Sequence, residues 1–100
     1  MKMQVFTVYD KVVGAYLQPF FVRARGEALR SFTEACNDKS NNFYKYALDY
    51  TLVYLGEYDD QSGHFISRDP ERVIGANECL SDSVFPPERE VTNGAGARVS

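Results

Sequence analysis

The sequence lacks several residue patterns that would identify a catalytic or metal site directly. It contains no tryptophan, a single histidine (His64) and two cysteines, Cys36 and Cys79. The cysteines lie far apart, form no CxxC motif and have no histidine at ligand spacing. This pattern predicts two reduced thiols, with Cys36 in the core, instead of a disulfide framework or a zinc site.

Nucleotide-binding and calcium-binding motifs are also missing. No GxxxxGK[ST] occurs and no GxGxxG opens a helix. The stretch DDQSG at residues 59–63 resembles part of an EF-hand loop, but Tyr58 would then occupy the first ligand position, and the twelfth would be Asp69 instead of glutamate. We therefore assign no catalytic residue, no metal and no cofactor. We expect neither an enzyme nor a protein with a small-molecule substrate.

Long hydrophobic runs are absent as well. The longest, such as Phe20–Val22 and Leu52–Leu55, are too short to span a bilayer, and the opening MKMQVFTVYD lacks the apolar stretch of a secretory signal. The expectation is a cytoplasmic protein without a membrane partner. In a chain of 100 residues, a hydrophobic content of 44% with 14% aromatics is typical of one folded domain.

Charge is unevenly distributed along the chain. Residues 1–55 carry seven Lys/Arg against five Asp/Glu, a net charge of +2, whereas residues 56–100 carry four against nine, a net charge of −5. Such asymmetry is compatible with a body that binds a polyanion and an acidic tail. Alone it is a weak indication, because a net charge of +2 does not define a basic domain.

Periodicity predicts a small set of secondary-structure elements. The helix Gly26–Asn37 carries an apolar stripe that includes Leu29 and Phe32, and Pro19 confines the segment around it to a sheet edge or an irregular extended path. The other predicted elements are the strands Met3–Tyr9, Tyr50–Tyr58 and His64–Arg68, a short helical turn within Phe43–Leu48, and a hairpin turn at DDQSG.

These elements predict an α+β fold, in which a small antiparallel β-sheet packs against one α-helix and an irregular C-terminal tail follows. We place a single domain at residues 1–70 and a mostly irregular acidic tail at residues 71–100. Since one helix covers only part of one sheet face, the other face must be solvated, covered by a ligand or paired with a partner.

The tyrosines of the strand Tyr50–Tyr58 raise the question of what that second face does. Uniform alternation predicts that Tyr50, Tyr54 and Tyr58 share one face and that Val53 and Leu55 pack against the helix from the other. The tyrosine face would then meet nucleic acid or a second copy of the chain. Alternatively, the tyrosines pack beneath Phe43–Tyr46 and the first strand.

Three stretches give the sequence a family resemblance: VFTVYDKVVGAYLQPFF, GEALRSF and DYTLVYLGEYDDQSG. Over about residues 3–68 the chain resembles the small nonstructural DNA-binding protein of the gokushoviruses, which are single-stranded DNA phages of the microvirus group. Family members often have proline where Ala47 stands, and residues 76–100 carry no matching motif.

The resemblance implies a non-virion protein that binds single-stranded DNA in the host cytoplasm. By analogy with the better-known microviruses, the protein would shift the cell from double-stranded replication to single-strand synthesis and genome packaging. It implies no catalysis and no cofactor. An assembly or interaction protein that contacts capsid or host proteins is the alternative, and the net charge of −3 favours it.

Single-stranded DNA binding requires cations for phosphates and exposed rings for bases. We expect the partner to be single-stranded DNA and the protein to form a homodimer, in which two sheets could build one groove. The candidate cations are Arg23, Arg25, Arg30, Lys39 and Lys45, and the candidate stacking residues are Phe20, Phe21, Tyr50, Tyr54 and Tyr58.

Overall fold

A computed structural model describes residues 1–81 and, by backbone alone, residues 93–94 and 96–97. The strands are β1 Lys2–Asp10, β2 Ala15–Tyr16, β3 Phe20–Val22, β4 Tyr50–Asp59, β5 Phe65–Gly75, β6 Asn93–Gly94 and β7 Gly96–Ala97. The helices are α1 Arg25–Cys36 and the single turn α2 Asn42–Lys45, and the two 3-10 helices are Ala47–Asp49 and Ala76–Cys79. None of the helices in this part of the chain is long and apolar enough to cross a membrane.

Five strands form one antiparallel sheet in which β1 and β4 are central. β5 pairs with the far side of β4, while β2 and β3 pair with the two ends of the same edge of β1. Pro19 lies between β2 and β3, where a residue without an N–H removes no ladder bond. The α+β fold class with its antiparallel sheet is confirmed; the predicted irregular tail falls largely outside the described residues.

The helix α1 forms where its apolar residues recur on one side. Ala28, Phe32 and Cys36 are buried, and they lie four residues apart, on one face of the helix. They pack on Phe6 and Leu52, both fully buried in the centre of the sheet. Helices therefore cover one face of the sheet, which we call the helix face; the opposite one is the open face.

A β-bulge in β4 changes which residues occupy each face. In the pairing of β1 with β4, Phe6 is opposite Tyr54 and Val5 is opposite Gly56, so Leu55 has no partner. The extra residue puts Tyr54 and Gly56 on opposite faces of the sheet, although they are two apart in sequence. Gly56 has φ +131°, and a Cβ added there would lie 2.1 Å from the carbonyl oxygen of Ile66, so only glycine fits.

The prediction that the three tyrosines share one face is wrong because of this bulge, and the predicted face is wrong for Tyr50 and Tyr54 but correct for Tyr58. Tyr50 and Tyr54 lie on the helix face with Leu52, while Tyr58 lies on the open face. Val53, which was expected to pack against the helix, points to the open face beside Tyr9 and Tyr16. Uniform alternation holds only from residue 50 to residue 54, because the pairing shifts by one residue before Gly56.

Residues after 70 continue the ordered structure. β5 extends from Phe65 to Gly75, so the predicted strand His64–Arg68 is too short. The 3-10 helix Ala76–Cys79 packs on the end of α1, where the Asn37 side-chain amide donates to the Thr33 carbonyl (2.8 Å) and the Cys79 carbonyl (3.0 Å). The division into residues 1–70 and 71–100 stays a prediction, since most of that tail lies beyond residue 81.

Replacing Gly56 should distort the bulge. We expect Gly56→Ala to lower the free energy of unfolding by about 2–4 kcal/mol, because it adds a clash with the Ile66 carbonyl to an unfavourable φ. Gly63→Ala is the matched control, since Gly63 also has positive φ (+77°) but open space around it. That control should lose only about 1–2 kcal/mol. If urea unfolding shows that both variants lose the same free energy of unfolding, the approach of the Ile66 carbonyl is not what requires glycine at residue 56.

Candidate nucleic-acid interface

The helices within residues 1–81 pack on the helix face and leave the open face without a helix. Along β1 it presents Met3, Val5, Thr7 and Tyr9, as the alternation of the strand requires. The centre of this face is buried: Val5, Thr7 and Val53 are at most 5% exposed, and the Leu17 carbonyl accepts a hydrogen bond of 2.6 Å from the Thr7 hydroxyl. The exposed residues of this face therefore lie at its two ends, where Phe21, Phe65 and Tyr16 are 42–61% exposed.

Three aromatic rings converge at one end of the open face. Phe21 on β3 lies 5.5 Å from Tyr58 and 6.2 Å from Phe65, and Tyr58 lies 4.8 Å from Phe65, measured between ring centroids. The rings of Phe21 and Phe65 approach from the two edge strands and thus bridge β1 and β4. Phe21 is 42% exposed and Phe65 is 61% exposed. We call these three residues the aromatic cluster.

A second pair of rings lies at the other end of the open face. Tyr9 and Tyr16 face each other across β1 and β2 with ring centroids 4.8 Å apart, and Tyr16 is 50% exposed. Together with Val53 and Arg72 they line a shallow depression. Exposed aromatic surface therefore occurs at both ends of this face.

The structure separates the aromatic residues that the sequence analysis grouped together. Of the five, only Phe21 and Tyr58 lie together on the open face. Phe20 packs on Phe6 of the core. Tyr54 is 7% exposed and packs 5.2 Å from the same Phe6 ring, and Tyr50 lies 4.7 Å from Phe43. For Tyr50 and Tyr54 the alternative expectation, that they pack beneath the turn after α1 and on the first strand, is confirmed.

The predicted cations do not form one patch. Arg30, Lys39 and Lys45 are exposed on the helical layer, on the side of the sheet opposite the aromatic cluster. Arg23 is exposed two residues after Phe21, and its backbone N–H donates to the Glu27 carboxylate (2.9 Å). Arg25 lies over the rings of the helix face, as described below.

Arg25 and Arg68 approach the same aromatic ring from the helix face. The Arg25 guanidinium carbon lies 5.4 Å from the centroid of the Tyr54 ring and 5.8 Å from that of Phe6, and the Arg68 carbon lies 5.7 Å from Tyr54. An arginine at this distance is attracted by the ring quadrupole. Glu71 makes an ion pair with Arg25 at 4.0 Å. We call these two arginines with Tyr54 the arginine pair.

Sequence reasoning missed Phe65, Arg68, Tyr9 and Tyr16 as candidates. Phe65 and Arg68 belong to β5, which approaches Tyr58 and Tyr54 only through strand pairing. The isolated Gly56 within an apolar strand was the one available signal for a bulge. The bulge explains why Tyr58 does not share a face with Tyr50 and Tyr54. The placement of Tyr50 and Tyr54 away from the helix is a separate error, because their rings pack on Phe43 and Phe6.

Ionisable groups in the described part of the chain form no metal site and show no activated nucleophile. No cluster of three His, Cys, Asp or Glu residues occurs there. Cys36 and Cys79 are free thiols, as expected, and Cys36 is fully buried. Burial, with the neighbouring Cys79 as a smaller cause, raises the pKa of Cys36 to about 12, and burial also raises the pKa of Cys79. Both thiols are therefore protonated at neutral pH.

Fold and surface together define an α+β protein whose five-stranded sheet is covered by helices on one side and carries exposed aromatic rings on the other. The chain belongs to the Phage ORF5 protein family, whose model matches residues 3–79. The match begins in β1 and ends with the 3-10 helix Ala76–Cys79, so it includes both faces of the sheet. No curated protein and no solved structure matches the chain significantly.

The exposed position of Phe65 predicts that its ring contributes little to folding. We expect Phe65→Ser to change the free energy of unfolding by about 1 kcal/mol or less, mainly through lost packing on Tyr58. The control Phe6→Ala, at a fully buried ring, should lose about 3–5 kcal/mol. Urea unfolding monitored by circular dichroism measures both. A large loss for Phe65→Ser would mean that the aromatic cluster is a structural element.

The protonated state of the thiols predicts slow alkylation. At about pH 8, iodoacetamide should modify Cys36 far more slowly in the folded protein than in guanidinium, because only the thiolate reacts. The folded thiol stays neutral while an unfolded thiol ionises near its ordinary pKa, so stability should fall as pH rises from about 9 towards 12. Mass spectrometry locates the label. Rapid labelling of Cys36 in the folded state would contradict its burial.

Proposed function

We propose that this phage protein binds single-stranded DNA through the open face of its sheet, and that it acts in the host cytoplasm without being part of the virion. Its role would be in the change from double-stranded replication to single-strand synthesis and genome packaging. The resemblance of residues 3–68 to the gokushovirus DNA-binding protein supports this role, and membership of a phage protein family is consistent with it. We propose no catalysis and no cofactor.

The observation that carries the proposal is the exposure of Phe21 and Phe65 on a sheet surface without a helix above it. Bases of a single strand are free to stack on aromatic side chains, and a stacked base contributes about 1–3 kcal/mol. Other antiparallel sheets bind single-stranded RNA with two or three rings displayed in this way. The aromatic cluster and the Tyr9–Tyr16 pair offer stacking positions at two ends of the same face.

Phosphate contacts in this proposal are few. Residues 1–81 hold nine Lys/Arg and eleven Asp/Glu, a net charge of −2, so the body as a whole does not attract a polyanion. Arg72 on the open face is held by Glu78 at 2.8 Å. Exposed cations near the aromatic cluster in the sheet are Arg23, two residues after Phe21, and Lys2, next to the partner residue of Tyr58. Affinity should accordingly depend more on stacking than on charge.

Fluorescence anisotropy with labelled oligo(dT) and with a duplex of the same length, across a salt series, tests the proposal. Binding should prefer the single strand, and Phe21→Ala and Phe65→Ala should each weaken it about tenfold or more. Tyr46→Ala is the matched control, because Tyr46 is also exposed (57%) but follows α2 in the helical layer. Its affinity should equal that of the wild type.

An interaction protein that contacts capsid or host proteins is the second candidate, and the negative net charge favours it. The same rings would then meet a protein, or a second copy of the chain in a homodimer. Absence of any salt-sensitive DNA binding at micromolar protein would overturn the first candidate. Light scattering of wild type and Phe65→Ala would then show whether the open face joins two copies.

A further inference from the structure

The arginine pair is an unusual arrangement of like charges. Arg25 lies at the beginning of α1 and Arg68 lies on β5, yet both guanidinium carbons are within 6 Å of the Tyr54 ring centroid. Tyr54 is 7% exposed and packs on Phe6, so the ring that both arginines share is fixed in the core. Two cations from different elements therefore lie within 6 Å of one ring whose position is fixed by core packing.

The local acidic residues compensate this charge only in part. Glu71 lies 4.0 Å from Arg25, at the limit for an ion pair, and both side chains are about half exposed. Arg68 makes no ion pair with any other residue of the range 1–81. A guanidinium has five N–H donors, and its attraction to a ring leaves them able to donate to an anion. Arg25 and Arg68 offer such donors from two elements, α1 and β5.

We propose that Arg25 and Arg68 form a clamp for a phosphodiester group of single-stranded DNA, with Tyr54 as the platform that orients both side chains. The clamp rests on the proposed function and names a contact within it. Arginine forms paired, charge-assisted hydrogen bonds with phosphate oxygens, which lysine does not. Orientation by the ring reduces the side-chain entropy lost on binding.

The clamp and the aromatic cluster together define a route for the bound DNA strand across the sheet. Phe65 of the aromatic cluster and Arg68 are three residues apart on β5, about 10 Å along the strand. Phe65 faces the open face and Arg68 faces the helix face, and β5 is an edge strand without a further neighbour in the sheet. The bound strand thus crosses the free edge of β5, with bases on one side and a phosphate on the other.

Charge-removing variants test the clamp. In Arg25→Gln/Arg68→Gln, the slope of log affinity for oligo(dT) against log salt should fall in magnitude by about 0.7, which corresponds to one phosphate contact. The control Lys39→Gln/Lys45→Gln removes the same charge from two exposed lysines of the helical layer and should keep the wild-type slope. Arg25→Lys/Arg68→Lys should keep the slope but bind more weakly. An unchanged slope in the glutamine variant, with oligo(dT) still bound, overturns the clamp and leaves the proposed function standing.

Experiments on the wild type separate the clamp from base stacking. The arginine Nε–H resonances of Arg25 and Arg68 should shift on titration with an abasic deoxyribose-phosphate oligomer, which has phosphodiesters but no bases. Saturable shifts support the clamp even if the aromatic variants show that no base stacks. If these resonances shift with inorganic phosphate but not with the abasic oligomer, the ligand is free phosphate and not the DNA backbone, and the proposal is overturned. No shift in either titration overturns it as well.

Discussion

The approach of the Ile66 carbonyl to Gly56 is the constraint on which both surfaces of the sheet depend. A side chain at residue 56 would occupy the position of that oxygen, so β4 and β5 can pair here only through glycine. The pairing leaves Leu55 without a partner on β1 and shifts the register by one residue. Every residue of β4 after the bulge consequently faces the side opposite to the one that uniform alternation from Tyr50 would give it.

The bulge gives two similar tyrosines different roles. Tyr54, before it, is buried against Phe6 and supports Arg25 and Arg68 on the helix face. Tyr58, after it, contacts Phe21 and Phe65 on the open face. Without the extra residue both rings would lie on one face, and the aromatic cluster would lack its central member. The unpaired residue Leu55 thus places the Tyr54 ring in the core and the Tyr58 ring on the open face.

The sequence predicts the parts of this fold that depend on neighbours along the chain. The strand Met3–Tyr9, the helix over Ala28 and Phe32, and the hairpin turn at residues 59–63 all follow from local periodicity or turn chemistry, and all are present. Which face a residue occupies after Gly56 depends on pairing with β1 and β5, and alternation within one strand contains no information about it. Phe65 and Arg68 were missed for the same reason, since each is brought to its ring by β5 pairing with β4.

The negative net charge of the protein limits how it could bind DNA. With a net charge of −3, general attraction to a polyanion is absent, so cations contribute only where they are placed against a phosphate. In the proposed complex the bases supply most of the affinity through the aromatic cluster, and Arg25 and Arg68 supply a local contact across the edge of β5. Such binding would favour flexible single strands, because a duplex keeps its bases stacked on each other and cannot bend around one strand of a sheet. Selectivity for single-stranded DNA would then follow from shape and stacking and would require no recognition of sequence.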